Sequence, residues 1–529
     1  MFRFGFSYVG LIYLLMLFIP NIIWTKNQPA DYEQYVKKEN RILQFLEKTG
    51  EGLVCCFVLI FRDFNIRPLS LWSLWLVASF VLMLFYEYYW ICYFKSKKRM
   101  CDFYRSVCGV PVAGATLPVC AFFLLGIYGC NAFLMVATII LGIGHIGIHY
   151  QHYREIVVGR KGKKKLIEII LGVVLGIIVS VGILIALALT VIIGFRNFNY
   201  IKCFISSDTG IYEGIYVPLS GQEQYLHISG ENTENPVMIY LHGGPASPDS
   251  LATYTFTRYL ADEYTVICWD QRGCGRTYYK NCKEDPDNKT VTFEQAQKDL
   301  DALVDYACDR FGKEKVVIMG HSYGTLLGSE YVQNHPEKVS AYIGIGQFVS
   351  TAGGERVSYE NALAATKEKG NDTTKMTAAY EAYQKEANLD HMMALRKQTA
   401  PYHKAPRAKN TIWIGLTSPN ANLTDFRWQL KPMLHMDEYI ALNKELLDYT
   451  FSVELLHQKS DYRVPVTFIT GSCDFTTPVA CTEEYMNGIT APAKKLCVME
   501  GCSHSPQFDA PQEFGKIVKE ALNKEEIEW

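Results

Sequence analysis

A serine bracketed by two glycines is the residue of this chain whose surroundings best suit nucleophilic chemistry. Residues 320–324 read Gly-His-Ser-Tyr-Gly, which places Ser322 at the centre. The apolar run 316–319 predicts a short buried strand before the motif, and a helix-forming run follows it. A serine on a sharp turn between a strand and a helix exposes its hydroxyl beside the helix N-terminus, where negative charge is favoured. The pattern predicts a nucleophile; the alternative is an ordinary turn.

A serine hydroxyl needs a neighbouring base, and the base needs a carboxylate to orient it. His504 follows the predicted strand 494–499 in a short Gly-Cys-Ser-His loop, and Asp474 follows the predicted strand 464–470. We therefore predict His504 as the base and Asp474 as the acid. Asp461 and Asp509 are the rival acids, but the first precedes its strand and the second follows the histidine loop.

The negative oxygen of a tetrahedral intermediate needs two backbone N–H donors. Tyr323 directly follows the serine, so its N–H is the predicted first donor. The second is predicted from Gly243 or Gly244, at the end of the apolar strand 237–241. An ordinary tight turn is the alternative interpretation of this glycine pair.

Strands and helices alternate through most of the chain after residue 200, which predicts an α/β fold with a mostly parallel sheet. A hairpin is predicted at 211–217 and 223–229, ahead of the strands. The alternation stops between about 350 and 460, where the chain becomes helical and rich in aromatic residues. We interpret 350–460 as a cap over the site, inserted between two parts of the core, 201–349 and 461–529.

Two further motifs make this half resemble the prolyl aminopeptidase (proline iminopeptidase) family of α/β-hydrolases. Residues 242–245 read His-Gly-Gly-Pro, similar to the family's His-Gly-Gly-Pro-Gly, with Ala246 in place of the last glycine. Residues 270–277 read Asp-Gln-Arg-Gly-Cys-Gly-Arg-Thr, close to the family's Asp-Gln-Arg-Gly-Ser-Gly-Arg-Ser. The order serine, acid, base is also that of α/β-hydrolases. The resemblance covers about 205–525.

The resemblance implies an α/β-hydrolase fold with a helical cap and a serine aminopeptidase that acts through an acyl-enzyme on peptides. It implies no cofactor and no catalytic metal. It also implies cap glutamates that bind the substrate's ammonium group, for which Glu355 and Glu360 are the candidates. A serine esterase or thioesterase acting on a small acyl or lipid ester is the alternative function, and a ligand-binding module without activity is a third.

Charged residues within the second motif are expected to be structural. Asp270, Arg272 and Arg276 carry both signs of charge in one loop, and such a loop is expected to be held together by its own ion pairs. Direct substrate contact is the alternative role.

The first 200 residues contain long uncharged runs that predict a multi-pass membrane region. The predicted spans are 3–26, 68–94, two within 106–153, and 167–193. The stretch 53–61 is a sixth span or part of an interfacial helix. A signal peptide is the alternative for the first run, but no small-residue cleavage site ends it.

Basic residues predict the orientation of this region, because they favour the cytoplasmic side. One cluster follows the second span and another precedes the last: Lys95, Lys97, Lys98, Arg99, Arg105, Arg154, Arg160, Lys161, Lys163, Lys164 and Lys165. If both clusters are cytoplasmic, the last span leads outward. The hydrolase half is therefore predicted outside the cytoplasm, next to the lipid bilayer.

Three histidines share one face of a predicted membrane helix. His145, His149 and His152 have the spacing i, i+4, i+7. Polar groups in a span are costly and often functional, so a metal site is one interpretation. The other, which is preferred, is that the histidines lie at the cytoplasmic end near water, packed or hydrogen-bonded. The sequence identifies no acidic partner for a metal. The net charge of −2 shows no strongly basic surface, and we expect no nucleic-acid binding.

Overall fold

The computed structural model describes residues 3–32, 40–68, 71–107, 110, 112–153, 156, 185, 187–203, 208–456, 458 and 460–523. The chain divides into two compact units, Met1–Ile201 and Lys202–Trp529. Each unit has its own hydrophobic core. We call them the membrane unit and the hydrolase unit.

The membrane unit is helical. Its helices are α1 (Tyr8–Thr25), α2 (Arg41–Ile60), α3 (Leu74–Phe94), the short α4 (Met100–Phe103), α5 (Ala113–Gly129) and α6 (Ala132–Tyr153), followed by the helical residues 187–203, here α7. Apolar side chains are exposed along α1 and α3, including Ile12, Leu15, Ile19, Val77, Phe80 and Leu84. Such surfaces are unfavourable in water and suit a lipid environment.

Three helices among the described residues are long and apolar enough to cross a membrane, namely α1, α3 and α6. All three lie within predicted spans, and the apolar α5 has 17 residues. A tight turn at Cys130 and Asn131 joins α5 to α6, inside the predicted 106–153 stretch. The ambiguous stretch 53–61 falls almost entirely within α2. Most of the predicted span 167–193 lies outside the described residues, so the number of spans stays a prediction.

The hydrolase unit is built on one eight-stranded sheet with the order β1-β2-β4-β3-β5-β6-β7-β8. The strands are β1 (Ile211–Leu219), β2 (Gln222–Gly230), β3 (Val237–Leu241), β4 (Thr265–Asp270), β5 (Val316–His321), β6 (Val339–Ile345), β7 (Val466–Gly471) and β8 (Lys494–Met499). Only β2 is antiparallel to its neighbours, β1 and β4. The predicted leading hairpin and the mostly parallel α/β sheet are confirmed.

The central strands are apolar because both faces of the sheet are covered. Every residue of β3, β4, β5 and β6 is buried. The covering helices form two separate cores. They are α8 (Tyr254–Thr257), α9 (Gly275–Asn281), α10 (Phe293–Phe311), α11 (Tyr323–Asn334), α19 (Val479–Gly488), α20 (Pro506–Asp509) and α21 (Pro511–Ala521). Parallel strands buried on both faces are typical of α/β proteins.

Among the described residues between β6 and β7, where the alternation was predicted to stop, there are seven α-helices and one 3₁₀ turn, Ala400–Tyr402. The α-helices are α12 (Thr351–Glu368), α13 (Thr374–Lys385), α14 (Leu389–Thr399), α15 (Thr411–Leu416), α16 (Leu423–Leu434), α17 (Met436–Leu442) and α18 (Lys444–Ser452). We call this segment the helical insertion. A cap role for it stays a proposal.

Candidate active site

Ser322 occupies a strained turn between β5 and α11. The strand ends at His321 and the helix begins at Tyr323, so the serine alone makes the turn. Its backbone has φ 52° and ψ −120°, a conformation that costs energy for a residue with a side chain. The Ser322 N–H donates to the carbonyl of Ile345 at the end of β6, which holds the turn at the sheet edge. This is the strand-turn-helix context that the sequence predicted.

Both glycines of the motif are required by close backbone contacts. A Cβ atom at Gly324 would lie 2.3 Å from the carbonyl oxygen of Leu241, and one at Gly320 would lie 2.5 Å from the carbonyl oxygen of Gly324. Carbon and oxygen atoms cannot approach so closely without displacing backbone. The spacing of glycines around the serine therefore has a steric cause.

The predicted acid and base are hydrogen-bonded to each other. Nδ1 of His504 lies 2.9 Å from Oδ2 of Asp474. Asp474 is buried, and its other oxygen accepts the N–H groups of Thr476 and Thr477 at 2.9 and 2.8 Å. Burial by itself raises the pKa of Asp474, but His504 and the hydrogen bonds from Thr477 together hold this pKa below its usual value. The acid is thus an ionised carboxylate that accepts the Nδ1 proton of the imidazole.

The acid-base pair and the serine lie at the same edge of the sheet. A Cβ atom at Gly346 would lie 3.1 Å from Nδ1 of His504 and 3.2 Å from Oδ2 of Asp474. Gly346 directly follows the residue whose carbonyl binds the N–H of Ser322. His321, directly before the serine, donates from Nε2 to the carbonyl of His504 at 3.0 Å. Ser322 follows β5, Asp474 follows β7 and His504 follows β8, so the three predicted residues lie at the carboxyl edge of the sheet, around the end of β6.

The two rival carboxylates have other partners. Asp509 accepts the N–H of Ser503 at 2.6 Å and that of Lys409 at 3.1 Å, so it braces the loop that carries the histidine. Asp461 accepts the hydroxyl of Thr490. Asp474 is therefore the carboxylate placed to orient His504.

Of the two glycines predicted for the oxyanion site, Gly243 lies against the serine. A Cβ atom at Gly243 would be 3.0 Å from Cβ of Ser322. Gly244 has φ 122°, which favours glycine. Tyr323 is the first residue of α11, so its N–H belongs to the unpaired first turn of the helix. Ala246, which departs from the resembled motif, adopts φ 60°.

The carbonyl of Ala246 is held from the helical insertion. Nε1 of Trp428 donates to it at 3.0 Å, and the hydroxyl of Tyr439 lies 3.4 Å away. The same hydroxyl donates to the carbonyl of Pro245 at 3.1 Å. These hydrogen bonds hold Ala246 in its left-handed backbone conformation, at the position where the family motif has glycine. The sequence did not predict them.

The predicted ammonium-binding glutamates differ in environment. Glu355 is 3% exposed and pairs with Arg396, with 2.7 Å between Oε1 and Nε. Burial raises the pKa of Glu355, and Arg396 opposes this. Glu360 is exposed and pairs with Arg356 at 3.2 Å, one helical turn away. Neither glutamate is a free carboxylate, so a substrate ammonium would have to share Glu355 with an arginine.

The charged residues of the second motif are structural, but the expectation that the loop is held by its own pairs is wrong. Arg272 makes two hydrogen bonds to Asp299 of α10, at 2.6 and 2.8 Å. Arg276 binds Asp425 of α16 in the same way, at 2.7 and 2.6 Å. Within the motif, Asp270 at the end of β4 accepts the backbone N–H of Arg276 in α9 at 3.0 Å. Both guanidinium groups therefore join the loop to other elements.

A buried polar network behind the serine was not predicted. Tyr240 donates to Oδ2 of Asp249 at 2.6 Å, and the same oxygen lies 3.9 Å from Nδ1 of His321. Burial raises the pKa of Asp249 to about 7 and, together with the neighbouring His504, lowers that of His321 to about 3. His321 is therefore neutral and serves as a positioning donor to the His504 loop.

The sheet and the serine turn define a class of protein. The chain belongs to the alpha/beta hydrolase fold family, which it matches over residues 236–511. This makes it a hydrolase.

Within that family the chain is similar to peptidases. It is 24% identical over 305 residues to the probable aminopeptidase YbaC of Bacillus subtilis, covering 57% of this chain and 93% of the relative. It is 31% identical over 137 residues to the proline iminopeptidase of Neisseria gonorrhoeae, covering 25% of this chain and 40% of that enzyme. The predicted resemblance to prolyl aminopeptidases is confirmed.

The solved structures to which this chain is similar include a proline iminopeptidase-related protein of Thermus thermophilus, at 20% identity and a TM-score of 0.41, covering 59% of this chain and 97% of that one. A membrane phospholipase A has 17% identity and a TM-score of 0.41, covering 68% of this chain and 99% of its own. The family assignment rests on the match over 236–511.

Proposed function

We propose that this protein is a membrane-anchored serine aminopeptidase that removes N-terminal residues from peptides. The observation that carries the proposal is the 2.9 Å contact between His504 and Asp474 at the sheet edge where Ser322 makes its strained turn. In the proposed mechanism, Ser322 is the nucleophile, His504 the general base and Asp474 the residue that orients it.

The steps of the reaction follow from this arrangement. The Ser322 hydroxyl attacks the scissile carbonyl carbon while Nε2 of His504 takes its proton. The resulting oxyanion accepts N–H groups from Tyr323 and from Gly243 or Gly244. His504 then gives its proton to the leaving amine, and an acyl-enzyme forms. Water, deprotonated by the same imidazole, releases the acyl group and restores the serine.

Three observations favour an aminopeptidase among serine hydrolases. The relatives are named as aminopeptidases or proline iminopeptidases. Residues 270–277 resemble a motif of that family. Glu355 is a buried carboxylate of the helical insertion that an ammonium group could share with Arg396. Charge pairs are stronger when buried, so Glu355 is a better candidate than the exposed Glu360.

An esterase acting on acyl or lipid esters is the second candidate function. The helical insertion exposes large apolar side chains on α15 and α16, among them Ile412, Met433 and Leu434. Such a surface suits an apolar acyl chain. This function would not require recognition of an ammonium group.

The test is turnover by the purified full-length chain. We expect cleavage of prolyl- and alanyl-amides with a free amino group, labelling by a fluorophosphonate, and loss of both in Ser322→Ala. A matched variant at an exposed serine, Ser452→Ala, should retain both. N-acetylation of the substrate should abolish turnover, and Glu355→Gln should raise KM more than it lowers kcat.

Two other outcomes would change the proposal. Turnover of short acyl esters without cleavage of free amino-acyl amides would make the protein an esterase. Absence of both labelling and turnover in the wild-type protein would contradict the assignment of Ser322 as a nucleophile.

A further inference from the structure

A group of metal-ligand side chains lies in the membrane unit. Glu47 of α2 and His145 and His149 of α6 each offer one ligand atom, and these atoms all lie within 4.8 Å of one another. All three side chains are partly buried. The mechanism proposed for the hydrolase unit uses none of them.

Small residues bring the two helices together at this point. A Cβ atom at Gly144 would lie 2.3 Å from the backbone nitrogen of Glu47, and one at Gly50 would lie 2.4 Å from Cα of Leu141. Glycines at a helix crossing allow the backbones to touch, as in membrane proteins generally. The close crossing places Glu47 beside the next turn of α6, where the i, i+4 spacing puts both imidazoles on one face.

Two of the three side chains, Glu47 and His145, are hydrogen-bonded to each other, and the third lies beside them. Nδ1 of His145 lies 2.5 Å from Oε1 of Glu47. The rings of His145 and His149 are 4.6 Å apart between centroids, at 72°. A single proton between nitrogen and oxygen can be exchanged for a metal ion, because metal binding to imidazole and carboxylate releases protons.

A second residue orients the other histidine. Nδ1 of His149 lies 3.2 Å from the hydroxyl oxygen of Tyr104. When this nitrogen donates to Tyr104, the lone pair of Nε2 is left for a metal. Metal-binding histidines usually have such an outer hydrogen bond on the nitrogen that does not bind the ion.

We propose that Glu47, His145 and His149 bind a divalent transition-metal ion of the zinc class. Two imidazoles and one carboxylate are a donor set that zinc uses in sites with an open coordination position. Two imidazoles on α6, a helix long and apolar enough to cross a membrane, are also costly unless they are paired or hold an ion.

A cavity adjoins the proposed metal site. A cavity of about 280 Å³ lies beside the cluster and is lined by both histidines. Its wall also includes Glu51, one helical turn after Glu47, together with Tyr86, Tyr89, Trp90 and Tyr104. A fourth ligand can come from Glu51 or from a small molecule or water in this cavity.

His152 is the third histidine of the sequence pattern, but it is not part of the proposed metal site. It is buried, and its ring lies 6.4 Å from that of Tyr104, between centroids. It does not belong to the group of ligand atoms around Glu47. His152 therefore serves as the matched control on the same helix.

The experiment measures Zn²⁺ and Co²⁺ binding to the purified full-length protein in detergent, after chelator treatment and desalting. We expect about one ion retained per chain and a visible Co²⁺ spectrum typical of nitrogen and oxygen ligands. Glu47→Gln, His145→Gln and His149→Gln should each weaken binding by about 10-fold or more. Tyr104→Phe should weaken it less, and His152→Gln should bind as the wild type does.

Several outcomes would overturn the proposal. If the wild-type protein retains no ion, the proposal is wrong, whatever the variants show. Equal binding by wild type and all three ligand variants would place the ion elsewhere, and loss of binding in His152→Gln as well would show a general effect on the fold. Each variant must give the same size-exclusion profile as the wild type. If one ligand variant misfolds, the other two still test the site.

Discussion

At the scale of single residues, the candidate site combines strain with full pairing of its buried charges. Ser322 has φ 52°, and its backbone is held by Ile345 of the neighbouring strand. Asp474 accepts three hydrogen bonds from Thr476 and Thr477 in addition to its contact with His504. A carboxylate bound in this way stays ionised and keeps one orientation, which is what an imidazole base requires.

Replacing Asp474 by asparagine should lower kcat by about 10³- to 10⁴-fold. The amide can occupy the same space, but it cannot stabilise the imidazolium or hold the required tautomer of His504. Steady-state kinetics on the substrate found for the wild-type protein would measure the effect.

A control for this variant is Asp461→Asn, because Asp461 is exposed and bonded to Thr490. It should retain wild-type kcat. Equal losses in both variants, or full activity in Asp474→Asn, would contradict the assignment of the acid.

At the scale of secondary-structure elements, the helical insertion is tied to the loop after β4. Arg276, in the first turn of α9 directly after that loop, binds Asp425 of α16, with both side chains buried. Trp428 of the same helix binds the carbonyl of Ala246 in the glycine-rich loop after β3. One helix therefore contacts both segments that carry the family motifs, including the loop that contains the proposed oxyanion glycines.

Asp425→Asn should destabilise the hydrolase unit by about 3 kcal/mol, because the buried guanidinium of Arg276 loses its charged partner. Unfolding of the full-length protein in denaturant, followed by tryptophan fluorescence, would measure the change. The activity of the variant should fall as the loop after β3 loosens.

The matched comparison is Glu223→Gln, which removes the exposed pair between Glu223 and Lys280. Exposed pairs contribute little, so its unfolding midpoint should equal that of the wild type. If Asp425→Asn also unfolds at the wild-type midpoint, the pair does not anchor the insertion.

At the scale of the whole molecule, the chain joins a hydrolase to a membrane-associated unit. Three described helices are long and apolar enough to cross a membrane. We propose that the hydrolase unit lies outside the cytoplasm, on the basis of the basic clusters near 95–105 and 154–165. Most of the second cluster lies outside the described residues.

An epitope inserted at Gly370, in the exposed turn between α12 and α13, should be detected on intact cells by an antibody that does not cross membranes. The same epitope at Lys97, in the exposed turn after α3, should be detected only after permeabilisation. The reverse pattern would place the hydrolase unit in the cytoplasm.

Local patterns in the sequence were sufficient to predict the class of fold and to select the candidate catalytic residues. Runs of apolar residues predict buried strands because a strand covered on both faces has no solvent side. The glycines around Ser322 predict its turn because a Cβ atom there would meet backbone. The acid and base were predicted from their position after strands whose carboxyl ends share one edge, and the two side chains are hydrogen-bonded to each other.

Only the tertiary structure decided which distant residues meet. Arg276 pairs with Asp425, 149 residues away, although its own loop contains a carboxylate. Glu47 lies beside His145 across 98 residues, so the acidic partner missing from the histidine pattern comes from another helix. Sequence spacing determines which side chains share a face within one element, whereas contacts between elements depend on how their surfaces pack. That packing is a property of the whole fold and has no local signal.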